Sequence, residues 1–289
     1  MYYKVLGAFF LFFSKIKYSL FGYASPKAAS VEECIDYDIR TVNLWLFYLA
    51  LYTQQKDYIK GKTVLELAPG AGLGTGISLL AKGVEKYYSI DIKNLARDVS
   101  PNLYDEFLNY LERNNKDSNI DFIYEELEKF KSGEQCRIKY ICRDDFDIED
   151  SFEEESIDIV FSYAAFEHFD DIEKTIEQLS VVCKPGAVFI AQVDLQTHSR
   201  WIRDRDPNNI YRFSEKFYNL LYFRGIPNRV RPYRYREILE KCGWKDVTIA
   251  PLTKLDGRFK EKKNYLVHKF RNPKNQMNVL SIMICAKKR

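Results

Sequence analysis

The chain has 289 residues, of which 46% are hydrophobic, and 44 Lys and Arg set against 41 Asp and Glu give a formal net charge of +3. That apolar share can fill one sizeable core, so one domain with insertions is expected rather than two, and the near balance of charge marks out no class of partner. Six cysteines (Cys34, Cys136, Cys142, Cys183, Cys242 and Cys285) lie scattered without C-x-x-C spacing, which argues against a disulfide framework and a zinc site and makes a cytoplasmic location the expectation.

Val5 to Phe13 is an apolar run flanked by Lys4, Lys15 and Lys17, too short to span a bilayer. Three readings are open. It is a helix packed on the domain, an amphipathic arm of residues 1–24 lying on an anionic membrane surface, or a signal peptide, for which no small-x-small cleavage site follows directly. Ser30 and Glu33 form the pattern of a capping box, opening a helix that runs to about Gln55 with Val42, Trp45, Leu49 and Tyr52 on one face, expected to pack in the core. Val64 to Leu67 then reads as a short buried strand, followed by a glycine turn and a helix from about Thr75 to Lys82 that stops at Gly83. Lys86 to Ile90 is the next strand, and Asp91 falls at its carboxyl end.

Leu95 to Lys131 is polar, helix-prone and too long for an ordinary connection, so it is expected to decorate the fold and end at Gly133. The carboxylates between Asp144 and Asp158 are expected to be mostly solvated in a loop. A helix from Asp170 to about Cys183, a buried strand from Ala187 to Leu195, a helix from Pro232 to Cys242, and strands at Val247–Ile249 and Val279–Ala286 complete the chain. Alternation of this kind specifies an α/β fold with an open, doubly wound, mostly parallel sheet. The division expected is a helical N-terminal arm over residues 1–40 and one domain over 41–289, with insertions at about 95–135 and at 197–236, the second forming a helical cap.

Strand, glycine turn, helix, strand and acid, in that order, describe a crevice for an adenosine-containing cofactor, because backbone N–H groups can approach the ligand and Asp91 can accept from ribose hydroxyls. The dinucleotide pattern G-x-G-x-x-G is not met: counted from Gly70 its last position is Thr75, and from Gly72 it is Ile77. The run Glu66-Leu67-Ala68-Pro69-Gly70-Ala71-Gly72 instead resembles the first motif of the class I S-adenosylmethionine (SAM)-dependent methyltransferases, with Ala68 in place of one glycine. Later motifs follow in the order of that family: Ile141 to Phe146 as third strand and acid, Ile157 to Ser162 as fourth strand, Phe166-Glu167-His168, and Lys184-Pro185-Gly186-Ala187. The resemblance spans roughly Leu65 to Ala191. It implies a seven-stranded sheet with its last strand antiparallel and SAM as cofactor. Glu66, Ala68, Gly70 and Gly72 would surround the methionine and ribose, Asp91 would hold the ribose hydroxyls, Asp144 and Asp145 would meet the adenine, and Ser162 and Tyr163 would line the crevice beyond.

Residues 200–236 carry ten basic side chains against three acidic ones, with aromatics interleaved. Arginine dominates, and its planar fork suits phosphate or carboxylate, so the cap is expected to recognise an anionic small molecule, sugar or lipid-linked glycan. A solvated basic helix is the plainer alternative. Of three histidines, His168 and His198 follow the fourth and fifth strands and are expected to face the crevice. His198 is the first choice as general base for methylation of a hydroxyl, His168 the second, and no metal is expected. An RNA-modifying enzyme using the basic cap, and a catalytically silent binding module, are the alternative functions.

Overall fold

A computed structural model describes residues 2–22, 30–97, 99, 101–114, 119–255 and 265–289. Helices α1 (Tyr2–Phe21) and α2 (Val31–Thr53) precede the sheet. Strands β1 (Thr63–Leu67), β2 (Lys86–Asp91), β3 (Ile138–Cys142), β4 (Ile157–Tyr163), β5 (Cys183–Asp194), β6 (Trp244–Lys254) and β7 (Val279–Lys288) form one seven-stranded sheet in the order β3-β2-β1-β4-β5-β7-β6. The pairs from β3 through to β5 are parallel, and β7 runs antiparallel to both β5 and β6. Between them lie α3 (Gly74–Ala81), α4 (Pro101–Asn114), α5 (Ile120–Ser132), α6 (Ile172–Val182), α7 (Arg200–Arg203), α8 (Glu215–Leu220) and α9 (Pro232–Lys241).

Alternation along the central strands sends successive side chains to opposite faces, and each face has its own core. Ile159 and Phe161 of β4 pack with Val42, Trp45 and Leu49 of α2 and with residues of α3, α4 and α5. Val160 points the other way, into a core with Phe189 of β5, Ile176 and Leu179 of α6, and Ile238 and Leu239 of α9. Strand order reverses between β1 and β4, so a crevice opens at their carboxyl ends, the place where open α/β sheets bind ligands.

Ser30 caps α2 as its sequence specifies, with the Glu33 N–H reaching Ser30 Oγ and the Ser30 N–H reaching the Glu33 carboxylate. Because α2 is unbroken from Val31 to Thr53, the boundary drawn at residue 40 falls inside a helix packed on the sheet, and only α1 is separate from it. The 95–135 insertion contains α4 and α5, and Gly133 ends α5 with φ 78°. β3 begins three residues before Ile141, which leaves Arg143 to Phe146 in the loop that follows it.

The basic segment 200–236 folds around a third core of Ile210, Tyr211, Phe213, Tyr218 and Ile226, closed by Leu266, Phe270 and Met277 from the stretch before β7. At least four of its nine arginines make contacts within the fold. Arg231 is buried and donates to the carbonyls of Asn275, Gln276 and Val279. Arg229 lies over the Tyr218 ring at 3.9 Å and donates to Phe213 O, while Arg212 pairs with Asp206 and Arg203 with Asp194. Part of the local positive charge is therefore engaged within the fold, which a count of residue types cannot distinguish from a binding surface. Helix α1 rests on this cap. No helix among the described residues is long and apolar enough to cross a membrane.

Candidate active site

β1 delivers the chain to Ala68, which sits in the left-handed region at φ 56° and donates its N–H to Ile90 O at 2.8 Å. This is the conformation glycine adopts most readily, and alanine accepts it here at a cost of about 1–2 kcal/mol. Gly70 follows at φ 78°, and a side chain there would meet open space, because the turn borders the crevice. Two further glycines allow α3 to sit close: a Cβ on Gly76 would lie 2.3 Å from the Tyr87 ring, and one on Gly74 would lie 2.1 Å from the Asp38 carboxylate.

The crevice encloses about 570 Å³, within the range of small-molecule and cofactor sites. Glu66, Ala68, Gly70, Asp91, Asp145, Tyr163 and His168 all border it. Gly72, Asp144, Ser162 and His198 are not among its lining residues. Ser162 is fully buried, and its carbonyl accepts the Trp45 indole N–H at 3.2 Å. Asp144 contributes its carbonyl to the Arg224 guanidinium. Asp145 lines the wall already engaged in a two-pronged pair with Arg143 at 2.9 and 2.8 Å, which pulls its carboxyl down to about 2.

Several lining groups escaped sequence reasoning. Tyr37 and Thr41 come from α2, which covers the crevice as well as filling the core, and the Tyr37 ring meets Tyr163 edge-on at 5.6 Å. The helical spacing of Val42, Trp45 and Leu49 gives the face of α2 but not what Tyr37 and Thr41 overhang. Arg224, Gly225 and Tyr18 close the far end from the cap and α1.

Carboxylates dominate the end near β1. Glu66 is buried and accepts from Thr75 Oγ1 at 2.6 Å and Tyr87 Oη at 2.5 Å, yet burial pushes its carboxyl up to about 7. Asp38 rises to about 8 through burial and the neighbouring Glu66. Asp91 is held at the tip of β2 by the N–H groups of Gly70, at 3.3 Å, and Lys93, at 3.2 Å. A cationic ligand with adjacent hydroxyls complements such a set.

The opposite end holds a polar cluster on the short turn Phe166–His168 and the loop after β5. His168 Nδ1 lies 2.5 Å from Gly225 O, and its ring stands 4.7 Å from that of His198. His198 Nε2 is 4.0 Å from Glu167 Oε1 and 3.8 Å from Asp194 Oδ2. Among the described residues neither Glu167 carboxylate oxygen has a hydrogen-bond partner, and burial pushes this carboxyl up to about 8. Burial also lowers both imidazoles, His198 to about 4 with help from His168. Glu167, His168 and His198 each bring one ligand atom within 4.8 Å of the others, a spacing that could admit a metal ion.

Residues 67–191 match the family model described as a methyltransferase domain. That stretch is a methyltransferase domain. Its cofactor is SAM, and the crevice wall that carries Glu66 and Asp91 offers hydrogen-bond acceptors of the kind its ribose hydroxyls need. SAM supplies a methyl group on a positively charged sulfur; the methyltransferase supplies the grip.

The curated proteins give no match to the chain. Among solved structures, a SAM-dependent methyltransferase from Archaeoglobus fulgidus is 17% identical, with 86% of this chain and 94% of that one covered at a TM-score of 0.45. One from Mesorhizobium loti is 12% identical, with 86% and 100% covered at a TM-score of 0.46. Haemonchus contortus phosphoethanolamine N-methyltransferase 2, solved in complex with SAM, is 16% identical, with 91% and 60% covered at a TM-score of 0.45.

Two predictions follow from the acidic end. Asp91→Ala weakens SAM binding by on the order of 2 kcal/mol, roughly 30-fold in Kd, because charge-assisted hydrogen bonds are lost. Calorimetric titration returning the wild-type affinity would refute this assignment. The second concerns pH. Glu66 holds its proton in the folded chain up to about 7 but would lose it near its ordinary 4.5 when unfolded, so between these values the folded state binds the extra proton. The contribution of Glu66 to the stability of the cofactor-free protein therefore falls as pH rises through that window and levels off above it. Asp38, raised to about 8, adds a slope of the same sign. Thermal denaturation from about pH 5 to about pH 8 should show this decline, partly flattened in Glu66→Gln; an equal slope in the variant would count against the buried Glu66 as its source.

Proposed function

We propose that the methyltransferase methylates a hydroxyl of an anionic acceptor, such as a phosphorylated or acidic sugar or a lipid-linked glycan. The observation that carries the reading is the lining of the crevice: Lys93, Lys174 and Arg224 border the same cavity as His168. The cations suit a phosphate or carboxylate, and a neutral imidazole beside the acceptor suits removal of a hydroxyl proton. In-line displacement at the methyl asks chiefly for positioning, which Tyr37, Tyr163 and the cap residue Arg224 would provide. RNA is less well served, because Arg203, Arg212, Arg229 and Arg231 are engaged within the fold and leave no continuous basic track through them.

The test is incubation with isotopically labelled SAM and matched pairs of sugars, with and without phosphate or carboxylate, followed by mass spectrometry. A gain of one CH₂, about 14 mass units, confined to the anionic member and borne on oxygen is expected. Arg224→Ala should raise KM for that acceptor roughly tenfold or more while leaving SAM affinity intact. Equal methylation of neutral partners, or a methyl found on nitrogen or carbon, would overturn the reading.

A further inference from the structure

Helix α1 is apolar on the side that faces away from the protein. Gly7, Leu11 and Tyr18 turn inward: Gly7 lies against Asn209, where a Cβ would come within 1.9 Å of its side chain, Leu11 packs on the third core, and Tyr18 meets Phe223 at 5.7 Å. Tyr2, Val5, Phe9, Phe12, Phe13, Ile16 and Leu20 recur at three- and four-residue spacing on the other side, and all are exposed, Val5 to 63% and Phe9 to 53%. A helix covering a protein surface ordinarily turns its polar face to water. This one turns apolar residues to water as well as to the protein.

The helix is also fixed lengthwise. Asn209 Nδ2 donates to Tyr3 O at 2.7 Å near one end, and Lys15 Nζ donates to Leu220 O at 2.5 Å nearer the other. It therefore lies along the cap and cannot stand upright as a span. Trp201 on α7, 79% exposed, and Leu220 at the end of α8, 67% exposed, extend the apolar surface beside it. Helix α1 itself carries charges of one sign, Lys4, Lys15 and Lys17, and no Asp or Glu. An apolar strip bearing aromatic residues and flanked by lysines matches a bilayer interface with acidic headgroups, and the like charges would oppose pairing with a second copy.

We infer that α1, with Trp201 and Leu220, docks in the plane of an anionic lipid bilayer. The inference stands on this surface alone and holds whatever the acceptor is. Its consequence for the enzyme is positional, since Tyr18 on the inner side of α1 lines the crevice and would bring the mouth close to the membrane.

Flotation of the full chain with vesicles of phosphatidylcholine, alone or mixed with phosphatidylglycerol, tests this. The protein should float with the mixed vesicles, at least about tenfold more than with phosphatidylcholine alone, and high salt should reduce binding. The double variant Phe9→Asp, Phe12→Asp should lose flotation while its SAM affinity, measured by calorimetry, matches wild type and so certifies the fold. No flotation of the wild type, or equal flotation of the double variant, overturns the inference. So does a concentration-dependent dimer, abolished by the double variant, in a protein that ignores vesicles.

Discussion

His168→Ala lowers turnover by roughly 10²- to 10⁴-fold, the usual contribution of a positioned general base, while SAM affinity stays at the wild-type value. The turn after β4 places His168 on the crevice wall. Its Nδ1 faces Gly225 O at 2.5 Å, so the neutral ring carries its proton there, and Nε2 is left as the acceptor. Burial keeps the ring neutral, the form a base requires. His198 was the first choice from sequence, yet its imidazole is absent from the crevice lining and stands behind His168, near Glu167 and Asp194. His198→Gln should accordingly slow turnover less than His168→Ala. Chelation separates proton transfer from a metal on the same groups: activity that survives EDTA supports the base, and activity lost on chelation and restored by a divalent ion overturns it. Wild-type turnover in His168→Ala would remove this residue from the mechanism.

Trp45→Ala lowers unfolding stability by about 3–5 kcal/mol. The indole is fully buried, stacks on Phe161 at 4.8 Å with the rings nearly parallel, and donates to Ser162 O. Truncation leaves both a cavity and a carbonyl without its donor. The same helix carries Tyr37 and Thr41 over the crevice, so SAM affinity should fall as well. Urea denaturation reads the first effect and calorimetry the second. Trp201→Ala is the control, its ring being largely exposed, and should shift stability by no more than about 0.5 kcal/mol. A Trp45→Ala protein as stable as that control would show that α2 is not anchored as described.

Much of the fold was legible because β1 and β4 are short, largely apolar runs and β2 ends on an acid, Asp91. The cofactor end was legible for the same reason: Glu66, Gly70 and Asp91 lie at strand tips, and position in a strand fixes position in the crevice. The rest of the crevice was not, because Tyr18, Tyr37 and Arg224 reach it from elements far apart in sequence, and no local period records which helix overhangs which strand. Arginines misled for a related reason. Charge invites a reading at the surface, whereas Arg229 and Arg231 stay buried by donating to carbonyls of the cap and of the stretch ahead of β7. Ala68 shows the opposite case, in which a departure from a glycine pattern left the turn intact at φ 56°.

The docking of α2 sets a schedule for synthesis. Trp45 leaves the ribosome well before its partner carbonyl on Ser162, 117 positions downstream, which at 5–20 residues per second is a wait of roughly 6–23 s. Throughout that interval a helix bearing Trp45, Phe47 and Tyr48 has no β4 to rest against, making the nascent chain a ready client for chaperones that bind aromatic segments. Ribosomes stalled before residue 161 should therefore display this helix in a protease-sensitive form, and chains released beyond β4 should shield it.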